Sequence, residues 1–134
     1  MKTKVLKEIT ERRSRRGFSA EAVDREVVER IVDAGRRAPS CANRQPVRFL
    51  VLTRLDSLEK GHKALTRGNY WAEHGAFMVY VLTNRALSCN LPDGRNYAWF
   101  DAGLAVENML LQAVHEGLIG HPMAGFTPQV IHDE

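Results

Sequence analysis

The residues best suited to chemistry lie near the amino end of the chain, where four arginines and one serine occupy five consecutive positions. This arginine segment consists of Arg12, Arg13, Ser14, Arg15 and Arg16. A guanidinium group can bind two oxygens of a phosphate at once. Positive charges this close together repel one another unless an anion neutralises them. The segment therefore predicts a site for a phosphate dianion. The alternative is a solvated helix end, which is common for runs of charge.

A second polar segment lies between a predicted helix and an apolar run. This proline turn, residues 39–45, contains Pro39, Ser40, Cys41, Asn43 and Gln45. Polar loops carried on rigid elements commonly hold binding residues. Taken alone, these residues favour two interpretations equally: a contact with a polar, planar ligand, or a helix-ending turn in which amide side chains cap backbone groups.

A third segment, Pro122, Met123, Ala124 and Gly125, follows the longest predicted helix and is called the Gly125 loop below. Its residue types alone indicate only a connection between helices. Together with the two preceding segments it resembles the nitroreductase family of flavin (FMN) oxidoreductases. The matching patterns are Arg-Arg-Ser-x-Arg-x-Phe at 12–18, Ala-Pro-Ser-x-x-Asn-x-Gln-Pro at 38–46, Asp101 to Ala113 with Gly117-Leu118, and 122–126. The order and spacing of all four make the resemblance specific over nearly the whole chain.

The resemblance implies a role for each residue of the arginine segment that matches the family pattern. Arg12, Arg13 and Ser14 would hold the phosphate and ribityl end of FMN. Arg16 would approach the pyrimidine side of the flavin ring, where a cation stabilises the negative charge that gathers on reduction. Arg16 is therefore expected to tune the reduction potential.

The resemblance also implies that the proline turn belongs to the site of the other subunit. Ser40, Cys41 and Asn43 would then contact the cofactor across a dimer interface. Cys41 stands where the family more often has Ser, and its thiol would donate a weaker hydrogen bond. Backbone amides near Ala124 would bind the reactive flavin nitrogen, in a conformation that Gly125 makes accessible.

For function, the resemblance implies a homodimer with FMN at the interface that uses NADH or NADPH to reduce small acceptors such as nitroaromatics or quinones. No side chain is expected to be catalytic, because the flavin carries the chemistry. An alternative is a non-catalytic flavin-binding or interaction protein derived from the family, with weak or no FMN binding. A third, weaker interpretation is a basic nucleic-acid accessory domain, whose affinity would fall steeply with salt.

Composition bears on the expected partners and location of the protein. The net charge of +3 is concentrated in residues 1–16, which hold seven Lys or Arg against two Glu, so a nucleic-acid partner is not expected. The two cysteines show no Cys-x-x-Cys spacing and suit a reducing, cytoplasmic location. The five histidines show no metal-ligand spacing, and no apolar run approaches the roughly 18 residues of a membrane span, so neither a metal nor a membrane is expected.

Apolar periodicity and breaker residues predict several helices and two strands, which is an α+β composition. The resemblance implies the arrangement: a nitroreductase-like FMN-binding fold in which helices flank a central antiparallel sheet, in a domain-exchanged dimer. At 134 residues the chain is one domain. The predicted strands are 48–53 and 76–83. The predicted helices lie at 4–13, from Asp24 to Arg37, at 55–65, at 99–116 and from Thr127. The last helix has only about two turns, and an isolated helix that short is marginal. We therefore expect one domain, 1–134, that is incomplete at its C-terminal end.

Overall fold

The structure is a computed structural model that describes residues 4–133. In chain order its elements are α1 (Lys7–Glu11), α2 (Arg25–Arg36), a 3-10 turn (Cys41–Asn43), β1 (Val47–Leu52), α3 (Leu55–Lys63), a second 3-10 turn (Tyr70–His74), β2 (Met78–Thr83), α4 (Ala98–His115) and α5 (Pro128–Asp133). Both predicted strands are confirmed to within two residues. The first helix is shorter than predicted, and the second 3-10 turn was not predicted at all.

Strands β1 and β2 pair antiparallel, with Val47 opposite Thr83 and Leu52 opposite Met78. Successive side chains of a strand point to opposite faces, so this register gives the sheet two apolar faces. Each face carries its own core cluster. One contains Leu52, Leu58, Leu65, Ala72, Met78 and Tyr80, with Trp71, Met123, Phe126 and Ile131 packed against it. The other contains Ile31, Met109 and Ala113, with Val27, Val32, Phe49, Phe77, Val79 and Leu118 packed against it.

The two clusters place helices on both sides of the sheet, as the sequence predicts. Helices α2 and α4 cover one face, and α3 and α5 cover the other. The α+β class, with helices flanking a small antiparallel sheet, is therefore confirmed. Among the described residues, no helix combines the length and the apolar composition needed to cross a membrane.

Helix α2 lies close against α4 because Gly35 has no side chain. A Cβ at this position would lie 2.7 Å from Met109 Cγ and 3.0 Å from Phe49 Cζ. One residue earlier on α4, the Asn108 side-chain amide donates to Ala34 O over 3.1 Å. These contacts fix the C-terminal end of α2, from which the proline turn departs.

Helix α4 ends as its sequence predicts. Gly117 has a φ of 78°, and Leu118 N–H donates to Ala113 O over 2.8 Å while Gly117 N–H donates to Val114 O over 3.0 Å. This is the Schellman pattern, and Leu118 packs in the same cluster as Ala113. The end of α4 is therefore set by local sequence, and the Gly125 loop begins a few residues later.

Candidate functional site

The arginine segment follows α1 as irregular chain, and α1 holds its start near α4. Glu8 Oε1 lies 3.0 Å from His115 Nδ1, at the far end of α4, and this contact lowers the pKa of Glu8. Arg12 Nε lies 4.0 Å from Glu107 Oε1 on the same helix, and Arg12 Nη1 donates to Ser14 Oγ over 3.4 Å. Arg12 and Ser14 therefore lie together beside α4.

The other arginines of the segment carry uncompensated charge. Arg13 Nη1 donates only to backbone, to Thr10 O over 2.8 Å and to Arg12 O over 2.7 Å. Within residues 4–133, no carboxylate forms an ion pair with Arg13, Arg15 or Arg16. Exposed guanidinium groups without a counter-ion fit an anionic ligand such as a phosphate.

Arg16 lies on an aromatic cluster at the second 3-10 turn. Its Cζ lies 5.5 Å from the centroid of the Trp71 ring. Phe18 stacks on Trp71 with centroids 5.7 Å apart and planes inclined by 10°, and the His121 ring lies 4.5 Å from Trp71 on a tilted plane. The sequence suggests only core or dimer packing for Trp71. Its contact with Arg16 depends on chain segments far apart in sequence, so no local pattern could reveal it.

His121 joins the arginine segment to the Gly125 loop, because its Nδ1 lies 3.1 Å from Arg15 O. Pro122, the first residue of that loop, is the next residue along the chain. At the other end of the loop, Gly125 O accepts two hydrogen bonds. One comes from Asn69 Nδ2 over 3.0 Å and the other from Thr66 N–H over 3.1 Å. Two of the three predicted site segments are therefore adjacent within one chain.

The reason for glycine at position 125 differs from the one expected. Gly125 does not have a positive φ, so its conformational freedom is not what the loop requires. A Cβ at this position would lie 2.9 Å from Thr66 Oγ1 and would overlap the Asn69 side chain. Close approach of the loop to the chain after α3 is what excludes a side chain there.

The proline turn has an unusual backbone for its residue types. Ala42, Asn43 and Gln45 have φ values of 50°, 52° and 50°, in the left-handed region that non-glycine residues seldom occupy. Gln45 N–H donates to Ser40 Oγ over 2.8 Å, and Gln45 Nε2 donates to Asn43 Oδ1 over 3.2 Å. The Ser40 hydroxyl therefore supports the backbone of the turn, whereas in the described residues the amide side chains of Asn43 and Gln45 bond to each other and not to backbone groups. Such strained residues concentrate at functional sites.

Cys41 is not a thiol. Its Sγ is bonded to Cys89 Sγ across 48 residues, in the loop between β2 and α4. The expectation that the Cys41 thiol fills a space beside the cofactor is therefore wrong, and the argument for a reducing compartment from cysteine usage loses its basis. The physical reason is that the fold brings the proline turn and this loop together, which sequence separation does not indicate.

Asp101, in the first turn of α4, binds the backbone of Cys41. Its side chain is 1% exposed, and Oδ1 accepts a hydrogen bond from Cys41 N–H over 3.1 Å. Asp101 is part of the family pattern, but the sequence gives it no role.

The described residues include no polar contact between the proline turn and the arginine segment. No hydrogen bond or ion pair joins them in residues 4–133. The turn borders a cavity of about 590 Å³ whose lining includes Ser40, Gln45, Arg48 and Asp101 but none of the arginine segment. Among the described residues, no group of three or more His, Cys, Asp or Glu is placed to hold a metal ion.

Comparison with known proteins identifies the family. A family model described as Nitroreductase family matches residues 9–69, which include the arginine segment and the proline turn. A protein of Archaeoglobus fulgidus, named for the NADH dehydrogenase/NAD(P)H nitroreductase class, is 35% identical over 92% of this chain and 68% of its own length. An uncharacterized Mycolicibacterium smegmatis protein is 39% identical over 46% of this chain, and the match covers 40% of that protein.

Solved structures give the same result. The structure of a nitroreductase family protein from Clostridium difficile 630 matches with a TM-score of 0.85 and 26% identity, over 94% of this chain and 71% of that protein. A structure from Desulfovibrio desulfuricans, described as a nitroreductase in complex with FMN, matches with a TM-score of 0.67 and 35% identity, over 81% of this chain and 61% of that protein. The chain thus spans about two thirds of the length of these structures.

Proposed function

The chain belongs to the nitroreductase family, and from this premise we propose that it is an FMN-dependent oxidoreductase. It would take hydride from NADH or NADPH and reduce small oxidised acceptors such as nitroaromatics or quinones. The observation that carries the proposal is the set of uncompensated guanidinium groups of the arginine segment, next to the Gly125 loop. FMN, when bound, supplies the hydride chemistry, so no side chain is assigned as acid, base or nucleophile.

The chain's own residues bind and orient the cofactor. Arg12, Arg13 and Ser14 would hold the phosphate and ribityl end, since they lie together at the end of α1. Arg16 would place positive charge beside the flavin ring, supported by the Trp71 ring beneath it. The backbone N–H groups of Met123, Ala124 and Gly125 would donate to the flavin ring. Pro122 has no N–H and cannot donate.

We further propose a homodimer in which the proline turn of each subunit completes the site of its partner through Ser40 and Asn43. Two observations support this. Within residues 4–133 no hydrogen bond or ion pair joins the turn to the arginine segment of its own chain, and α4 leaves Trp99 65% exposed and Phe100 56% exposed. Exposed aromatic residues on one helix are typical of an interface. A cytoplasmic location stays a prediction, and the disulfide now argues against it.

Cofactor binding and turnover are tested on the purified chain. We expect a bound yellow chromophore, identified as FMN by mass spectrometry, that bleaches when NADH or NADPH is added without oxygen. Arg16→Ala should lower the reduction potential of the bound flavin, because it removes a cation from the ring. Arg25→Ala is the matched control, since Arg25 is an exposed guanidinium that pairs only with Glu29 on its own helix. Colour without bleaching would support a non-catalytic flavin-binding protein, and absence of FMN would contradict the proposal.

Subunit exchange tests the dimeric site. Arg16→Ala damages the arginine segment and Asn43→Ala damages the proline turn, so each variant alone should bind FMN weakly. A mixed dimer would have one site with both intact residues if the turn acts on its partner. Recovery of FMN binding on co-expression of the two variants is expected. No recovery, with mixed dimers present by differential tagging, would show that the turn and the segment act within one chain or independently.

A further inference from the structure

The proline turn is held at Cys41 by a buried carboxylate that the proposed function does not use. Asp101 is 1% exposed and lies 60 residues away in sequence, yet its Oδ1 accepts the Cys41 N–H over 3.1 Å. A buried carboxyl group is retained only where hydrogen bonds or charges compensate its removal from water. Its position in the first turn of α4 supplies part of that compensation through the helix dipole.

The compensation is incomplete, which points to a role beyond stability. Asp101 Oδ2 is buried and has no hydrogen-bond partner within residues 4–133. An apolar side chain of similar size would avoid this unsatisfied atom, and such replacements are often stabilising. In the part of the chain that the structure describes, the one hydrogen bond that Asp101 makes to another element goes to the proline turn. Holding that turn is therefore the function that the geometry of Asp101 serves.

The turn needs such an anchor because its backbone is strained. Ala42 and Asn43, immediately after Cys41, have φ values of 50° and 52°. Residues in this region persist only where surrounding structure over-determines them. Cys41 is fixed twice, by Asp101 at its backbone N–H and by Cys89 at its sulfur. The hydrogen bond orients the backbone of the turn, whereas the disulfide only limits its distance from the 84–96 loop.

We propose that Asp101 is a positioning residue for cofactor binding: its hydrogen bond to Cys41 N–H holds Ser40 and Asn43 in the orientation that receives FMN. This inference rests on the proposed function, since it requires that the proline turn contact the cofactor. Asp101 itself does not touch the ligand; it acts through the backbone of the turn.

The test compares Asp101→Asn with Asp101→Ala. Asparagine keeps an oxygen acceptor in the same place, so FMN affinity should stay within about twofold of wild type, whereas alanine should weaken it about tenfold, measured by quenching of FMN fluorescence. Asp93→Ala is the matched control, because Asp93 also accepts a backbone N–H, from Arg95, but in an exposed loop. Equal losses in the Asn and Ala variants, or no loss in either, would overturn the inference.

Amide hydrogen exchange keeps the test independent of FMN. The Cys41 N–H should exchange slowly in wild type and in Asp101→Asn, and fast in Asp101→Ala. The Arg44 N–H, which donates to Cys41 O over 3.1 Å within the turn, reports whether the turn itself remains formed. A folded Asp101→Ala variant is not required for this test. Should that variant fail to fold, fast exchange of the Cys41 N–H in wild type or in Asp101→Asn overturns the inference. A wild-type chain that binds no FMN contradicts the proposed function instead, and leaves the exchange result to decide whether Asp101 holds the turn.

Discussion

The guanidinium of Arg16 lies over the ring of Trp71, with Cζ 5.5 Å from the ring centroid. The two residues come from segments 55 positions apart, and the contact sets the direction of the side chain expected to face the flavin ring. Trp71 is itself fixed, because its Nε1 donates to Gly68 O over 2.9 Å and His121 packs against its ring. An aromatic support of this kind orients a cation without neutralising it.

Replacing Trp71 by leucine should therefore weaken FMN binding about three- to tenfold, because Arg16 loses the ring that orients it. Leucine keeps an apolar side chain against the neighbouring core cluster and limits the loss of stability. Tyr70→Leu is the control, since Tyr70 is an adjacent aromatic that is 53% exposed and makes no ring contact with the arginine segment. FMN titrations of both variants provide the measurement. Equal affinities would show that Trp71 does not support the site.

Acid should weaken the attachment of α2 to the end of α4. Arg30 Nε and Nη2 each donate to a Glu116 oxygen over 2.8 Å, and these bonds, with one from Gln112, lower the pKa of Glu116 from 4.5 to about 2. A carboxyl group with a lowered pKa in the folded state contributes stability above pH 4.5, and this contribution is lost as pH falls from 4.5 towards 2. Melting temperatures measured over this pH range should fall.

In Glu116→Gln the melting temperature should be lower at neutral pH, and its decline between pH 4.5 and 2 should be shallower than in wild type. The control is Glu29→Gln, which removes the Arg25–Glu29 pair on the surface of α2. That pair is exposed, so water and salt screen it and the change in melting temperature should be smaller. A decline as steep in Glu116→Gln as in wild type would assign the acid sensitivity to other groups.

Breaking the Cys41–Cys89 bond should loosen the proline turn and destabilise the fold. In the chain-entropy description, closing a loop over 48 residues stabilises a protein by about 4 kcal/mol. Cys89→Ala should therefore lower the free energy of unfolding in urea and weaken FMN binding. A dithiol should do the same to wild type and have no further effect on Cys89→Ala. Two free thiols in the untreated native protein would contradict the pairing.

Gly125→Ala should displace the Gly125 loop from the chain after α3. The added Cβ would lie 2.9 Å from Thr66 Oγ1 and overlap Asn69, and overpacking of this kind costs about 1–3 kcal/mol. Gly17→Ala is the matched control, because a Cβ there meets no atom within 4 Å and φ is not positive, so alanine should stabilise the fold by about 0.4–1 kcal/mol. Urea unfolding of both variants should give changes of opposite sign.

Local patterns in the sequence predicted the secondary structure well. Two short, nearly continuous apolar runs predicted the strands Val47–Leu52 and Met78–Thr83, and Gly117 with Leu118 ends α4 as predicted. These features depend on neighbouring residues, whose spacing the sequence displays directly. The family motifs also predicted which segments of the chain hold the proposed site.

The sequence by itself determined most of the helices and both strands, the family, and the segments that we propose as the site. Only the tertiary structure decided that Cys41 pairs with Cys89 and is held by Asp101, that Trp71 supports Arg16, and that Gly125 is required by close approach rather than by a positive φ. Each of these contacts joins segments that are distant in sequence. Their partners follow from how the helices pack on the two faces of the sheet, and no local periodicity encodes that packing.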